Sequence, residues 1–193
     1  AVHDTSIAAW LGLEQHEAMM RQGDLWTTIP PHERPGTSSF IMTHNIQVSF
    51  LAFAGGALAG LLTTYVLMWN GLILGGVMGL AAHYGLADEL GAFIIGHGVI
   101  ELSEIFIAGG AGLALGWAIL HPGFLRRRDA LALAARQSVR LIIGSIPILI
   151  VAGLIEGFIS PSALPWPLKA SVGVVTGIGL YAYVSLAGRS RRA

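Results

Sequence analysis

The fold of this chain is decided by one stretch near its middle, Gly96-His97-Gly98-Val99-Ile100-Glu101-Leu102-Ser103-Glu104-Ile105-Phe106-Ile107-Ala108-Gly109-Gly110. On a helix, steps of four and three residues place His97, Glu101 and Glu104 on one face. A charge at the centre of a bilayer costs roughly 2.5–3.5 kcal/mol on insertion scales, so acids in such an apolar run normally serve a purpose. The stretch predicts an intramembrane polar site. The alternative is that these acids are protonated or paired and only hold helices together.

The composition places this stretch in a membrane protein. Of the 193 residues, 54% are hydrophobic and 11% are charged, whereas a soluble domain carries about 25% charged residues. Several windows approach or exceed the roughly 20 apolar residues that cross the hydrocarbon core of a bilayer. We therefore predict an all-α fold, a polytopic transmembrane helical bundle with the lipid bilayer as its first partner.

Several classes of function are disfavoured by what the sequence lacks. The formal net charge is zero, which gives no electrostatic argument for a nucleic-acid partner. The chain has no cysteine, so disulfides and thiolate chemistry are excluded. Walker, nucleophile-elbow and dinucleotide motifs are absent as well. The sequence therefore predicts a protein that is not an enzyme and that has no cofactor.

Five membrane segments are predicted from the apolar runs. The second of them is short, and is either a tilted crossing or a re-entrant helix. It is separated from the first by Asn70-Gly71, a turn signal. The Gly96-His97-Gly98 triplet is expected to break the helix before the third segment. The predicted segments are about 46–69, 72–86, 98–120, 141–159 and 168–187, with a separate interfacial helix at 130–140.

The chain is predicted to divide into residues 1–39, an N-terminal arm, and residues 40–193, the transmembrane domain. Ile7, Trp10, Leu11 and residues 14–20 predict a short amphipathic helix on the membrane surface. The prolines between residues 30 and 35 exclude a continuous helix there and indicate a connector.

Glycines recur at helix-packing intervals in the apolar segments. Small residues at such spacing let helix backbones approach closely, within a protomer or between protomers. Because two-fold symmetry is the commonest oligomeric solution, a homodimer is expected. The predicted packing glycines are Gly56, Gly60, Gly71, Gly75, Gly79, Gly109, Gly112 and Gly116.

Basic residues predict the orientation in the membrane. If five spans alternate, one side carries only Arg21, Arg34 and Lys169, and the other carries eight arginines. By the positive-inside rule the C-terminus is cytoplasmic and the N-terminal arm extracytoplasmic. Because no signal peptide precedes the arm, a further upstream span is expected. The eight arginines are Arg126, Arg127, Arg128, Arg136, Arg140, Arg189, Arg191 and Arg192.

The polar stripe admits two further interpretations. A broken helix with an ionisable cluster is the usual sign of a transport site. Glu156 of the fourth segment either belongs to this site or, because it is near the end of its helix, reaches water or a polar loop. His97, Glu101 and Glu104 also offer a nitrogen and two carboxylates to zinc, but the His-Glu-x-x-His pattern is absent. No metal is therefore predicted, and a metal site stays the weaker alternative.

Several spaced motifs resemble the stage II sporulation protein M family of bacterial integral-membrane proteins. The resemblance covers about residues 40–187 and leaves residues 1–39 unassigned. Glu104 departs from the family pattern, in which a small residue is commoner. The motifs are His44-Asn45-Ile46, Asn70-Gly71-x-x-Leu74-Gly75, His97-Gly98-x-x-Glu101-Leu102, Ile107-Ala108-Gly109-Gly110-Ala111-Gly112-Leu113 with Leu115-Gly116, and Ala152-Gly153-x-Ile155-Glu156-Gly157-Phe158.

The resemblance implies a function as well as a fold. Sporulating members of the family are non-enzymatic membrane components that work with cell-wall hydrolases during engulfment of the forespore. The leading hypothesis is accordingly a scaffold or partner-binding component of cell-envelope remodelling in the bacterial cytoplasmic membrane. The alternative is a channel or transporter with its polar site at His97 and Glu101.

Overall fold

The computed structural model describes residues 5–187, which fold into helices without a strand. The helices are α1 (Thr5–Leu11), α2 (Glu14–Met20), α3 (Arg34–Ala54), α4 (Leu61–His83), α5 (Ala87–Ile94), α6 (Gly98–Leu120), α7 (Arg127–Leu154) and α8 (Trp166–Ala187). The predicted all-α class is confirmed. The predicted arginines Arg189, Arg191 and Arg192 lie outside the described residues.

The number of membrane segments also agrees with the sequence. Four helices are long and apolar enough to cross a membrane: α4, α6, α7 with the turn that follows it, and α8. The 21-residue α3 is more polar but packs lengthwise against α6 and α7. It therefore completes a bundle of about five segments.

Helix α6 is the centre of the bundle, because it packs against α3, α4, α7 and α8. In the most apolar 18-residue stretch of α6, 44% of the residues are buried inside the protein, compared with 17% in the corresponding stretches of α4 and α8. Contacts between residues of neighbouring helices show that α3 and α8 run parallel to α6, whereas α4 and α7 run antiparallel to it. The starts of α3, α6 and α8 thus lie at the same end of the bundle as the ends of α4 and α7.

The predicted spans at 46–69 and 72–86 are wrong in their boundaries. The chain turns between α3 and α4 at a 3₁₀ turn, Gly55–Leu58, followed by positive φ angles of 55° at Ala59 and 82° at Gly60. At the predicted turn, Asn70 lies inside α4 and donates a 2.9 Å hydrogen bond to the Val66 carbonyl one turn earlier. The Asn70 side chain is therefore satisfied inside a continuous helix, and the Gly55–Gly60 segment forms the turn instead.

The predicted interfacial helix at 130–140 is not a separate element. Residues 127–154 form the single helix α7, on which Arg136 and Arg140 are exposed. Pro147 lies inside this helix, and a π-helical turn, Ile155–Ile159, extends it.

The N-terminal amphipathic segment forms two short helices rather than one. The chain bends at Gly12, whose φ is 71°, between α1 and α2. Leu11 and Leu13 pack against Gly76 of α4, and Met20 belongs to the same buried cluster as Leu90 of α5. The apolar face of this segment is therefore covered by α4 and α5.

The glycines of the apolar segments fall into two groups. A Cβ atom added at Gly56, Gly109, Gly112 or Gly116 would overlap atoms of a neighbouring helix or turn; at Gly112 these include the Ala52 carbonyl oxygen and, at 2.6 Å, the Thr63 hydroxyl oxygen. Gly60 adopts a positive φ. The exposed Gly71, Gly75 and Gly79 of α4 have no described heavy atom within 4 Å of an added Cβ.

The two groups of glycines predict different effects of a leucine substitution on thermal stability. Gly112→Leu should lower the unfolding temperature in detergent, because overpacking commonly costs about 1–3 kcal/mol and the Ala52 carbonyl oxygen occupies the space. Gly75→Leu is the matched control and should melt like the parent protein, since the space around Gly75 is open. Equal melting of the two variants would contradict the packing described here.

Candidate functional site

The helix break predicted at Gly96-His97-Gly98 is present, and it positions His97. Helix α5 ends at Ile94 and α6 begins at Gly98, so His97 occupies the residue just before α6. Its side chain is 94% buried and contacts the Phe93 ring edge-on, with ring centroids 5.6 Å apart. The Nδ1 atom is hydrogen-bonded to the Ser160 hydroxyl at 2.9 Å, which leaves Nε2 as the free ring nitrogen.

Glu101 lies in the first turn of α6, where the positive end of the helix favours a carboxylate. The side-chain amide of Asn45, on α3, donates a 2.7 Å hydrogen bond to its Oε1 atom. The other oxygen, Oε2, is 3.9 Å from His97 Nε2. The Asn45 amide thus binds one oxygen of this carboxylate, and the other oxygen faces the His97 ring without a hydrogen bond.

Glu156 comes to the same place from the π-helical turn at the end of α7. Its Oε1 atom is 3.8 Å from His97 Nε2. A π turn inserts one extra residue per turn and is often found at functional sites. Here it packs against α3, where Gly157 contacts Ser38 and the Ser38 hydroxyl donates to the Gly153 carbonyl at 2.7 Å.

His97, Glu101 and Glu156 form a cluster whose three potential ligand atoms all lie within 4.8 Å of one another. Among the described residues, Glu101 Oε2 and Glu156 Oε2 are buried atoms without a hydrogen-bond partner. A buried polar group without a partner costs about 1–3 kcal/mol, and a charged one costs more. The cluster therefore has the electrostatic character of a site for a proton or a metal cation.

The segment after the π turn is fixed from two sides. The Lys169 ammonium group, buried at the start of α8, donates a 2.7 Å hydrogen bond to the Ser160 carbonyl. The Arg34 guanidinium donates to the Pro161 carbonyl at 3.2 Å. Since Ser160 also holds His97, these contacts set the position of the imidazole relative to both glutamates.

Glu104 lies apart from the predicted stripe. It is 1% exposed and lies beside Ser145 of α7, and its Oε2 atom has no hydrogen-bond partner among the described residues. It does not belong to the group of possible metal ligands formed by His97, Glu101 and Glu156. Glu104 stands two helical turns beyond His97, about 10 Å farther along α6 at 1.5 Å per residue, and there it faces α7 instead of the cluster.

Sequence reasoning left out Asn45, Ser160 and Lys169 as site residues. Asn45 could have been found, because it stands in one of the motifs that carry the family resemblance. Ser160 and Lys169 are brought to the site by the π-helical turn and by the start of α8. No local sequence pattern predicts this placement.

Comparison with known proteins shows the family to which the chain is similar. The family described as SpoIIM, Stage II sporulation protein M, matches residues 5–161. An uncharacterized protein of Methanocaldococcus jannaschii is 29% identical over 126 residues, which are 63% of this chain and 69% of that protein. No solved structure matches the chain. The family match includes residues 5–39, which the resemblance had left unassigned, and it ends at residue 161, before the end predicted near residue 187.

Substitutions of Glu101 test the contact with Asn45. Glu101→Gln keeps an oxygen acceptor for the Asn45 amide and should melt like the parent. Glu101→Leu leaves that buried amide without an acceptor, at a cost of about 1–3 kcal/mol. Adding Asn45→Leu to Glu101→Leu should recover much of the loss, since replacing both partners by apolar groups can be nearly neutral.

The measurement is thermal unfolding of the purified protein in detergent. If Glu101→Leu melts like the parent, or if the double variant loses as much stability as the two single variants added together, then Asn45 and Glu101 are not energetically coupled.

Proposed function

The chain belongs to the stage II sporulation protein M family, and we propose that it is a non-enzymatic multi-pass membrane protein that binds a small cation at the cluster of His97, Glu101 and Glu156. The proton is included among these cations. One observation carries the proposal: three separate motifs of the family resemblance contribute a polar side chain to one buried site, through Asn45, His97 with Glu101, and Glu156.

A purely structural role explains the cluster less well. Replacing buried ionic groups by apolar residues is often neutral or stabilising, so such groups are weak contributors to stability. Here two carboxylate oxygens are buried without a partner among the described residues. A cation that these oxygens bind would offset the cost of burying them.

The position of the cluster suits a channel or transporter. Asn45 lies eleven residues into α3, which corresponds to about 16 Å along a helix at 1.5 Å per residue. The side chains of Glu101 and Glu156 remain 16% and 13% exposed. A site inside the bundle, beside a helix break and still partly accessible, is typical of transport proteins.

We propose that this end of the bundle faces the outside of the bacterial cytoplasmic membrane. Arg34 and Lys169 lie at the end with the cluster, and Arg126, Arg127 and Arg128 lie at the start of α7, at the opposite end. The positive-inside rule then places the start of α7 in the cytoplasm, and α8 runs toward the same side, which makes the C-terminus cytoplasmic.

Cysteine labelling tests this orientation without background, because the chain has no cysteine. The side chains of His32 and Arg128 are 79% and 78% exposed. In intact cells, His32→Cys should react with a membrane-impermeant thiol reagent, and Arg128→Cys should react only after the membrane is opened. The reverse pattern would show that the cluster faces the cytoplasm.

A scaffold in cell-envelope remodelling is the second candidate. It is favoured by the exposed stripe of Gly71, Gly75 and Gly79 on α4, which no described atom covers and which suits docking of another helix. That helix would belong to a second copy, giving a homodimer, or to a cell-wall-remodelling protein. In this case the cluster would have only a structural role.

Ion flux separates the two candidates. We expect the protein in liposomes to admit protons or divalent cations under an inside-negative potential, as read by trapped indicator dyes. Glu101→Gln should reduce this flux to the level of protein-free liposomes, because it removes the ionisable group while keeping the shape. Glu104→Gln is the matched control and should behave like the parent, since Glu104 lies outside the cluster.

The flux experiment has two outcomes that oppose the proposal. If the parent protein matches protein-free liposomes for every cation tried, the scaffold is favoured. If both glutamine variants retain the parent's flux, the cluster is not the ion site.

A further inference from the structure

The geometry points to a divalent transition-metal cation of the zinc type as the ligand of the cluster, held by His97 Nε2 and one oxygen each from Glu101 and Glu156. This inference rests on the proposed function, and it names the class of cation. The argument uses the donor set, the charge of the cluster and the residues that surround the donors.

The three donors are arranged as ligands of one ion. His97 Nε2 lies 3.9 Å from Glu101 Oε2 and 3.8 Å from Glu156 Oε1. In zinc sites the bonds to histidine nitrogen and carboxylate oxygen are about 2.0–2.2 Å, so ligand atoms lie roughly 3.4 Å apart in a tetrahedron. All three donor atoms lie within 4.8 Å of one another, so side-chain adjustments of about 1 Å would bring them to the spacing of a zinc site.

The unpartnered atoms are independent support for a ligand. His97 is 5% exposed, and its Nε2 atom faces the two carboxylates at distances too long for hydrogen bonds. Glu101 Oε2 and Glu156 Oε2 are buried without a partner among residues 5–187. One imidazole nitrogen and two carboxylates thus face one another without forming hydrogen bonds among themselves.

The outer contacts orient these donors in the way that metal sites require. When His97 Nδ1 carries its proton and donates to the Ser160 hydroxyl, Nε2 presents a lone pair to the cluster. Asn45 occupies Glu101 Oε1 and leaves Oε2 for an ion. Metal-binding histidines and carboxylates normally have such hydrogen bonds, which fix the tautomer and the direction of the ligand.

Charge and ligand type select the class of cation. Two ionised glutamates carry two negative charges, which a divalent ion neutralises and a monovalent ion does not. Calcium and magnesium prefer oxygen ligands alone, whereas imidazole suits zinc and its neighbours among the transition metals. A site of one histidine and two glutamates inside a membrane therefore favours a transition-metal dication.

The test is titration of the purified full chain in detergent with ZnCl₂, read by isothermal calorimetry, with MgCl₂ and CaCl₂ as competitors. We expect a single tight zinc site per chain that an excess of magnesium or calcium does not displace. Glu156→Gln and His97→Gln should abolish tight binding. Asn45→Ala should weaken it by about tenfold to a hundredfold, as outer-shell changes do.

Glu104→Gln and His121→Ala are the controls, a buried carboxyl outside the cluster and an exposed histidine, and both should bind zinc like the parent. Thermal unfolding without metal checks that each variant is folded; if His97→Gln does not fold, Glu156→Gln carries the test. Absence of a tight site, equal binding by Glu156→Gln, or displacement by magnesium would overturn the inference.

The failures of the two proposals are distinguishable. Proton flux that depends on Glu101, without tight zinc binding, would overturn only the metal assignment. Tight zinc binding without flux of any cation would leave the metal site in place and overturn transport.

Discussion

The close approach of α3 to α6 is the constraint on which the rest of the structure depends. At one end of this contact, Gly112 leaves room for the Ala52 carbonyl and for Thr63, whose hydroxyl donates to that same carbonyl at 2.7 Å. Further along, the two parallel helices bring Asn45 to Glu101 at 2.7 Å. Because both contacts belong to the same pair of helices, a side chain at Gly112 would separate α3 from α6 and move Asn45 away from the carboxylate. The packing glycines and the polar cluster are therefore parts of one arrangement.

The second half of the site depends on the segment that follows α7. The π-helical segment directs Glu156 toward His97. This segment packs against α3 through the contact of Gly157 with Ser38. Lys169 and Arg34 then hold the carbonyls of Ser160 and Pro161. The Lys169 and Arg34 side chains each satisfy a backbone carbonyl of this irregular segment. Such hydrogen bonds matter most where water is scarce. The irregular backbone and its polar anchors are what position His97 between two acids.

The sequence predicted the class of fold, the helix break at Gly96–Gly98 and α6 at residues 98–120, because long apolar runs and glycine breaks are local signals. It failed where two local signals competed. Asn70-Gly71 was interpreted as a turn, but the turn lies at Gly55–Gly60, whose glycines contact helix α6 much later in the chain. The same limit applies to the site. Helical spacing pointed to Glu104 as well as Glu101, yet only the packing of α3, α6 and α7 shows that Glu156 and Asn45 complete the cluster.

The central claim is that His97, Glu101 and Glu156 bind one cation together. The most direct measurement is the zinc X-ray absorption spectrum of the zinc-loaded protein, since it reports the ligands of the ion itself. The cluster predicts one imidazole together with oxygen ligands, with bonds of about 2.0–2.2 Å. A spectrum with two or more imidazoles per zinc would contradict the account, because the group of possible ligands in the described residues contains a single histidine.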